Sequence, residues 1–246
     1  MADAGRVRHE AQPAFVLHSY PFRETSLIIE VFTKDHGRIA LVARGARRPR
    51  SAQRGLLLAF QPLLLSWAGK SELRTLHKAE WQGGLPQLKG GALLCGFYLN
   101  ELLLKLLPRD DPHEHLYQVY YRTLQALSHG SRHAATLRRF EQWLLKELGY
   151  ALTLDCDAEN GDAIRADRSY QYFIERGPVH SARSSGGIQE NRLELTGQTL
   201  LDMAHDDYSN PLTMQQSKAL MRMLINHYLG NQMLNTRQLL VDLQQL

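Results

Sequence analysis

The sequence is poor in cysteine: Cys95 and Cys156 are the two among 246 residues, too few and too far apart for a disulfide framework. That scarcity fits a reducing compartment, so a cytoplasmic location is expected. Long apolar runs are missing as well. Stretches such as Leu56–Ala59 and Leu102–Leu104 fall far short of the roughly 20 residues of a membrane-spanning helix, and no membrane association is expected. The first twelve residues, with Asp3, Arg6, Arg8 and Glu10, lack the apolar core of a secretory signal.

The usual catalytic signatures are also absent. There is no G-x-S-x-G elbow, no H-E-x-x-H and no paired-cysteine metal site. Gly69-Lys70-Ser71 ends like a phosphate-binding loop, but the first glycine of that motif would fall on Leu64. Asp155, Asp157 and Glu159 begin like a calcium loop, yet its glycine position holds Asn160 and its closing glutamate position holds Ala166. His113 and His115, beside Asp110 and Asp111, could be drawn as a metal-dependent nuclease centre. On a helix, however, two residues two apart point about 200° away from each other, and a helix start explains the cluster better. No catalytic residue, cofactor or metal is expected.

Acidic residues are scarce in one region only. Residues 1–80 hold 13 Lys and Arg against 7 Asp and Glu, a net of +6, whereas residues 81–246 hold 16 against 18. The net charge of +4 is therefore an N-terminal property. Such asymmetry favours a polyanionic partner for one part of the chain.

Between Ala14 and Glu80 the sequence reads as five short strands: Ala14–Ser19, Ser26–Thr33, Arg38–Arg44, Leu56–Trp67 and Glu72–Glu80. Ile39, Leu41 and Ala43 alternate with Arg38, Ala40, Val42 and Arg44, as in a half-buried strand. Lys34-Asp35-His36-Gly37 is a hairpin connection in which Gly37 supplies positive φ. Pro62 implies an edge or a bulge in the fourth run. Five strands in this space fit a small barrel, of OB or SH3-like type.

Gly83, Gly84, Pro86, Gly90 and Gly91 then punctuate the chain, and helical patterns follow. Ala92–Leu107 is apolar nearly all round and predicts a central buried helix stopped by Pro108. Asp111-Pro112-His113-Glu114 predicts a capped helix start at Asp111, and Arg132–Leu148 ends at Gly149. Asp155–Gly187 is polar and reads as an insertion with a small hairpin at Tyr170–Ile174. Helices from Asn210-Pro211 and from Asn235 to Leu246 close the chain. The expected class is α+β multidomain, with a barrel over 1–82, a helical domain over 83–153 and 205–246, and an insertion over 154–204.

The sharpest local feature is Arg44-Gly45-Ala46-Arg47-Arg48-Pro49-Arg50-Ser51-Ala52-Gln53-Arg54, which has five arginines and no acid. Guanidinium forks pair with phosphate oxygens and release counterions, so such a loop suits sequence-independent binding to a nucleic-acid backbone. A solvated charge run is the plain alternative; the missing acids and the neighbouring Lys34 and Arg38 favour binding. Lys34, Arg38, Arg44, Arg47, Arg48, Arg50 and Arg54 are the expected DNA-binding set. Phe22, Phe32, Phe60 and Trp67 could stack on bases but are expected in the core.

These residues, taken with others, resemble the RecO family of DNA repair and recombination proteins. The likeness runs through Glu24-Thr25-Ser26, Val31-Phe32-Thr33, Gly37-Arg38 and Val42-Ala43-Arg44-Gly45-Ala46-Arg47. It continues in Tyr98-Leu99-Asn100-Glu101-Leu102, Leu137-Arg138-Arg139-Phe140-Glu141, Leu144-Leu145, Leu148-Gly149-Tyr150 and Leu234-Asn235-Thr236-Arg237. The resemblance implies an N-terminal five-stranded OB-fold and a helical domain. It also implies binding to single- and double-stranded DNA and annealing of complementary strands. The partner RecR would help it load recombinase onto strands coated by single-stranded DNA-binding protein (SSB). The acidic, hydrophobic-ended SSB tail would need an apolar groove flanked by bases, for which Arg132, Arg138 and Arg139 are the candidates. Many members carry a four-cysteine zinc site just after the Leu-Gly-Tyr motif; Cys156 alone stands here, so a zinc-less insertion is expected. Nucleoid association would follow from DNA as the ligand. The competing reading is a non-catalytic protein–protein adaptor that does not touch DNA.

Overall fold

The period-two alternation of the first third becomes five strands in the computed structural model, which describes residues 7–130, 133–182, 192–230 and 232–236. They are β1 (Arg8–Phe22), β2 (Ser26–Thr33), β3 (Gly37–Ala43), β4 (Pro62–Ala68) and β5 (Leu73–Trp81). Neighbours pair in the order β1-β2-β3-β5-β4, and β4 returns to β1, so the sheet closes on itself. Only β3 and β5 run parallel. This is the OB type among the barrels the sequence allowed.

Ala14, Val16, Ile29, Val31, Ile39, Leu41, Leu63, Leu65 and Trp67 fill the barrel interior. The intervening Phe15, Leu17 and Phe32 point outward yet are just as buried, because helices cover that side. Phe15 and Phe32 pack on Tyr117 and Tyr120, with centroids 5.1 to 6.2 Å apart. Strands buried on both faces read as near-continuous apolar runs, and this is why the alternation in the first two strands is weak.

Two expectations about the barrel need correction. The fourth strand begins at Pro62 rather than Leu56, since Ala52–Gly55 forms a single 3-10 turn and Leu57 and Phe60 are anchors within a loop. Pro62 takes the first position of the strand, where no ladder donor is needed. The capped start at Asp111 is also wrong. Helix α2 (Glu114–Ser128) follows α1 (Gly90–Leu106) and begins after His113, without a side-chain cap. The backbone of 109–111 is engaged by the barrel instead: Asp110 N–H donates to Arg38 O at 3.0 Å, and Arg74 pairs with the Asp110 carboxylate. Gly37 lies so close to Asp111 that a Cβ there would stand 1.9 Å from its carbonyl oxygen.

By packing, the chain divides into one unit of residues 1–133 with 234–246 and a second of 134–233. The change of composition near residue 83 marks the passage from strand to helix within the first unit. α1 is not buried all round, for Phe97 on it is 43 % exposed. In the second unit α3 (His133–Glu147), α4 (Gly197–Ala204) and α5 (Pro211–Tyr228) share a core with a three-stranded sheet of β6 (Ser169–Phe173), β7 (Gly177–His180) and β8 (Arg192–Thr196), ordered β7-β6-β8. Tyr170 and Tyr172, from the polar segment expected as an insertion, are both buried there. The sequence offers Asn210-Pro211 as the start of α5, and Asn210 Oδ1 accepts the Leu212 N–H. The expected final helix lies, beyond Thr236, outside the described residues.

Candidate nucleic-acid interface

The arginine-rich connection between β3 and β4 is a chain of turns rather than a free strand. Arg48 N–H donates to Gly45 O, Ser51 N–H to Arg48 O, and Arg54 N–H to Ser51 O, at 3.0 to 3.2 Å. Ala46 and Leu57 are buried in the barrel core and pin the two ends of the loop. Arg47, Arg48, Arg50 and Arg54 between them, and Arg44 just before, are exposed. Among the described residues none of these five has a carboxylate partner, so their charge is uncompensated.

Arg47 ties this loop to the β1–β2 turn. Its backbone N–H donates to Thr25 O at 2.9 Å, and Nη1 donates to Arg23 O and Glu24 O at 3.2 and 3.3 Å. The turn brings a cation that the sequence reading missed: Arg23, exposed, with φ of 52° and its guanidinium 5.2 Å from the Phe22 ring centroid. A lone arginine followed by Glu24 carries no signal in the sequence. Only the fold places it beside Arg47.

The other two expected contacts are placed differently. Lys34 forms an ion pair with Glu114 at 3.0 Å, and that hydrogen bond and charge raise its pKa above the usual lysine value. Arg38 turns inward: Nη1 donates to the buried Glu30 at 3.1 Å and Nε to Leu107 O at 3.0 Å. Arg109 donates to the other Glu30 oxygen. Arg38 thus belongs to a buried clamp joining β2, β3 and the α1–α2 connection, apart from the exposed loop. Phe32, Phe60 and Trp67 are buried as expected, and Phe22 is half-buried.

In the second unit Arg138 is buried against Glu141, at 2.5 Å. Arg139 chelates Asp206 with Nε 2.8 Å from both oxygens and lies over the Tyr208 ring. Arg132 lies outside the described residues. Arg139, Gln142, Trp143, Lys146, Leu152 and Met203 line a cavity of about 420 Å³. Lys146 sits 4.6 Å from the Trp143 ring centroid, so an apolar wall is flanked by Lys146 and by the Arg139–Asp206 ion pair.

The donors around Cys156 do not fit a zinc ion. Asp157 accepts the Glu159 N–H with one oxygen and the His180 N–H with the other, and backbone bonds from Asp157, Ala158 and Ile164 close the segment. Hydrogen bonds to a buried carboxylate thus hold the loop together. Among the described residues no three of His, Cys, Asp and Glu converge on a metal position. At the imagined nuclease centre Asp110 is paired with Arg74 and Asp111 with His113. Nor is any described helix long and apolar enough to cross a membrane.

Residues 8–84 match the family model described as Recombination protein O N terminal, and residues 87–237 match Recombination protein O C terminal. The chain belongs to the RecO family. It is 63 % identical over 239 residues to the DNA repair protein RecO of Nitrosospira multiformis, covering 97 % of this chain and 98 % of that one. The RecO proteins of Dechloromonas aromatica and Aromatoleum aromaticum are 55 and 53 % identical over 244 and 239 residues. Those matches cover 98 and 97 % of this chain and 99 and 98 % of the relatives. RecO membership assigns the chain to DNA repair and recombination. The N-terminal RecO model contains the whole arginine loop and the turn that holds it.

Proposed function

We propose that this RecO chain is a non-enzymatic recombination mediator that binds single- and double-stranded DNA and anneals complementary strands. With RecR it helps load recombinase onto SSB-coated single strands at gaps and breaks. One observation carries the reading: Arg44, Arg47, Arg48, Arg50 and Arg54, joined by Arg23, are exposed and uncompensated on one side of a closed barrel. Guanidinium groups so placed bind phosphates of either strand, lower the repulsion between two strands and leave the bases free to pair. No covalent step is required. DNA as ligand places the protein in the cytoplasm, at the nucleoid.

For the SSB tail the supporting feature is the Trp143 cavity. Its apolar wall suits the hydrophobic end of the tail, and Lys146 and Arg139, whose pair with Asp206 is solvent-exposed, suit its acids; Arg138, buried on Glu141, is left out of the contact set. Loss of tail-peptide binding in an Arg139→Ala, Lys146→Ala variant, followed by isothermal titration, is the expected outcome.

The deciding experiment is fluorescence anisotropy of labelled DNA across a salt series, with strand annealing measured in parallel. Replacing Arg47, Arg48 and Arg50 by Ala removes up to three phosphate contacts. At about 0.7 per contact, the log–log salt slope for single strands should flatten by roughly 2. An unchanged slope removes the loop from the interface. Absence of DNA binding by the parent protein at low salt leaves the adaptor reading in its place.

A further inference from the structure

A large concave feature of the first unit lies away from the arginine loop. It is a groove of about 870 Å³ between β1 and α1, within the range of small-molecule and cofactor sites. Its rim carries two exposed aromatic rings, Tyr20 on β1 and Phe97 on α1, at 45 and 43 % exposure. His18 stands two residues from Tyr20 on the same strand face, with its ring 4.4 Å away. Arg109 and Lys105 supply cations along the other side.

The walls of the groove are fixed by buried polar contacts. Asn100 Nδ2 on α1 donates to Leu17 O on β1 at 2.8 Å, and Tyr120 OH donates to Asn100 Oδ1. Both carboxylates of the lining are already neutralised. Glu30 holds Arg38 and Arg109, and Glu101 accepts the Asn235 and Thr236 N–H groups and the Thr236 hydroxyl beside Lys105. Burial alone would raise the Glu101 pKa, but these hydrogen bonds outweigh it and hold the carboxyl below its usual value. Three cations, Arg38, Lys105 and Arg109, face two carboxylates, so the lining keeps one net positive charge beside the aromatic rings, and Arg109, which shares Glu30 with Arg38, is the most exposed of the three at 40 %.

We infer that this groove is a second nucleic-acid site, in which unstacked bases of a single strand lie on Tyr20 and Phe97 and an adjoining phosphate meets Arg109. Charge and continuity both favour this occupant. Tyr20 lies near the end of β1, three residues before Arg23 of the β1–β2 turn, so a backbone gripped by the arginine loop can run on to the ring. Aromatic platforms interleaved with cations are the general means of holding single strands without reading sequence. A duplex keeps its bases stacked and gains nothing from such rings. The groove therefore adds selectivity for single strands to the loop's general affinity for phosphate. The inference rests on DNA binding as proposed above.

The test is a Tyr20→Ala, Phe97→Ala variant of the full chain, compared with the parent on labelled oligothymidine, on an abasic oligomer of equal length and on a duplex. The expected result is roughly a tenfold loss or more on oligothymidine, with abasic and duplex affinities and the salt slope unchanged. Phe97→Tyr, which keeps the ring, should restore binding beside an intact Tyr20. Equal loss on all three ligands, or none on oligothymidine while the parent binds it, overturns the inference and leaves the loop reading intact. Failure of the parent to bind any of the three sinks the loop reading instead. Loss of affinity for an acidic, hydrophobic-ended peptide with oligothymidine binding unchanged would make the groove a peptide site and also overturn the inference.

Discussion

Replacing Glu30 by Gln tests how the barrel is joined to the segment that leads into α2. The side chain is 5 % exposed and accepts from Arg38 on one oxygen and from Arg109 on the other. Gln keeps the volume, removes the charge and leaves two guanidinium groups without a counter-ion. Removing one partner of a buried ion pair costs about 3–5 kcal/mol. Arg109 is 40 % exposed and can be rehydrated, whereas Arg38, at 15 %, cannot be without opening the structure. The discounted cost is about 2–3 kcal/mol, which for a chain of this size lowers Tm by roughly 4–12 °C. Urea denaturation and a thermal melt measure it. Removing the buried charges together, as Glu30→Leu with Arg38→Met, should recover most of the loss, because an apolar replacement carries no desolvation cost. A Gln variant within about 0.5 kcal/mol of the parent, or a double variant worse than the single, would refute the clamp. The same pair of residues decides the role of Arg38. Arg38→Met alone should lower stability and leave the DNA salt slope unchanged, whereas a phosphate contact would flatten that slope by about 0.7.

Gly37→Ala should cost more than about 2 kcal/mol, since it combines a positive φ of 64° with a Cβ placed against the Asp111 carbonyl; a cost below about 1 kcal/mol by chemical denaturation would mean that the 109–111 backbone yields. His36 gives a pH dependence. Burial first, then the charges of His9 and Arg74, hold its pKa below the usual histidine value against the opposing pull of Asp35 and Asp110. The unfolded chain therefore takes up this proton first as pH falls. Stability is retained above about pH 6.5 and lost as pH drops towards the folded value. The fall in Tm between about pH 7 and pH 5 should be smaller in His36→Asn, and coincident profiles for the two proteins would sink the assignment.

The barrel was legible because the third strand alternates cleanly and Gly37 marks the hairpin before it. Its fourth strand was not, because Leu56–Leu58 is as apolar as the strand after it. What separates them is the backbone: Phe60 sits at a φ of 67°, outside the range of a regular strand. The start of α2 was misplaced for a tertiary reason. Asp111-Pro112 has the chemistry of a cap, but the backbone of Asp110 donates to β3, some 70 residues earlier in the chain. Local preference loses to a long-range hydrogen bond of that kind. Composition could not tell Phe97 from Leu99 either, since both sit in one apolar run and their faces are set by what α1 packs against. The 155–187 segment looked like a polar insertion because its two core tyrosines are diluted by the turn residues that Asp157 organises.

Charge shows most clearly what a sequence can and cannot state about the site. A net of +6 over residues 1–80 suggests a barrel that is basic all round. The fold removes much of it from view: Arg8 pairs with Glu10, Lys34 with Glu114, Arg38 with Glu30, Arg74 with Asp110 and Lys78 with Glu80. Two of these acids, Asp110 and Glu114, come from beyond residue 80, so no count confined to the barrel could anticipate the cancellation. What remains uncompensated is concentrated on the β3–β4 loop and the β1–β2 turn. The exposed pairs among these contribute little to stability, unlike the buried Arg38–Glu30 pair, but every one of the five keeps a cation from competing for phosphate. An electrostatic ligand is then held at one edge rather than spread over the barrel, and a second strand can approach from the same side, as annealing requires.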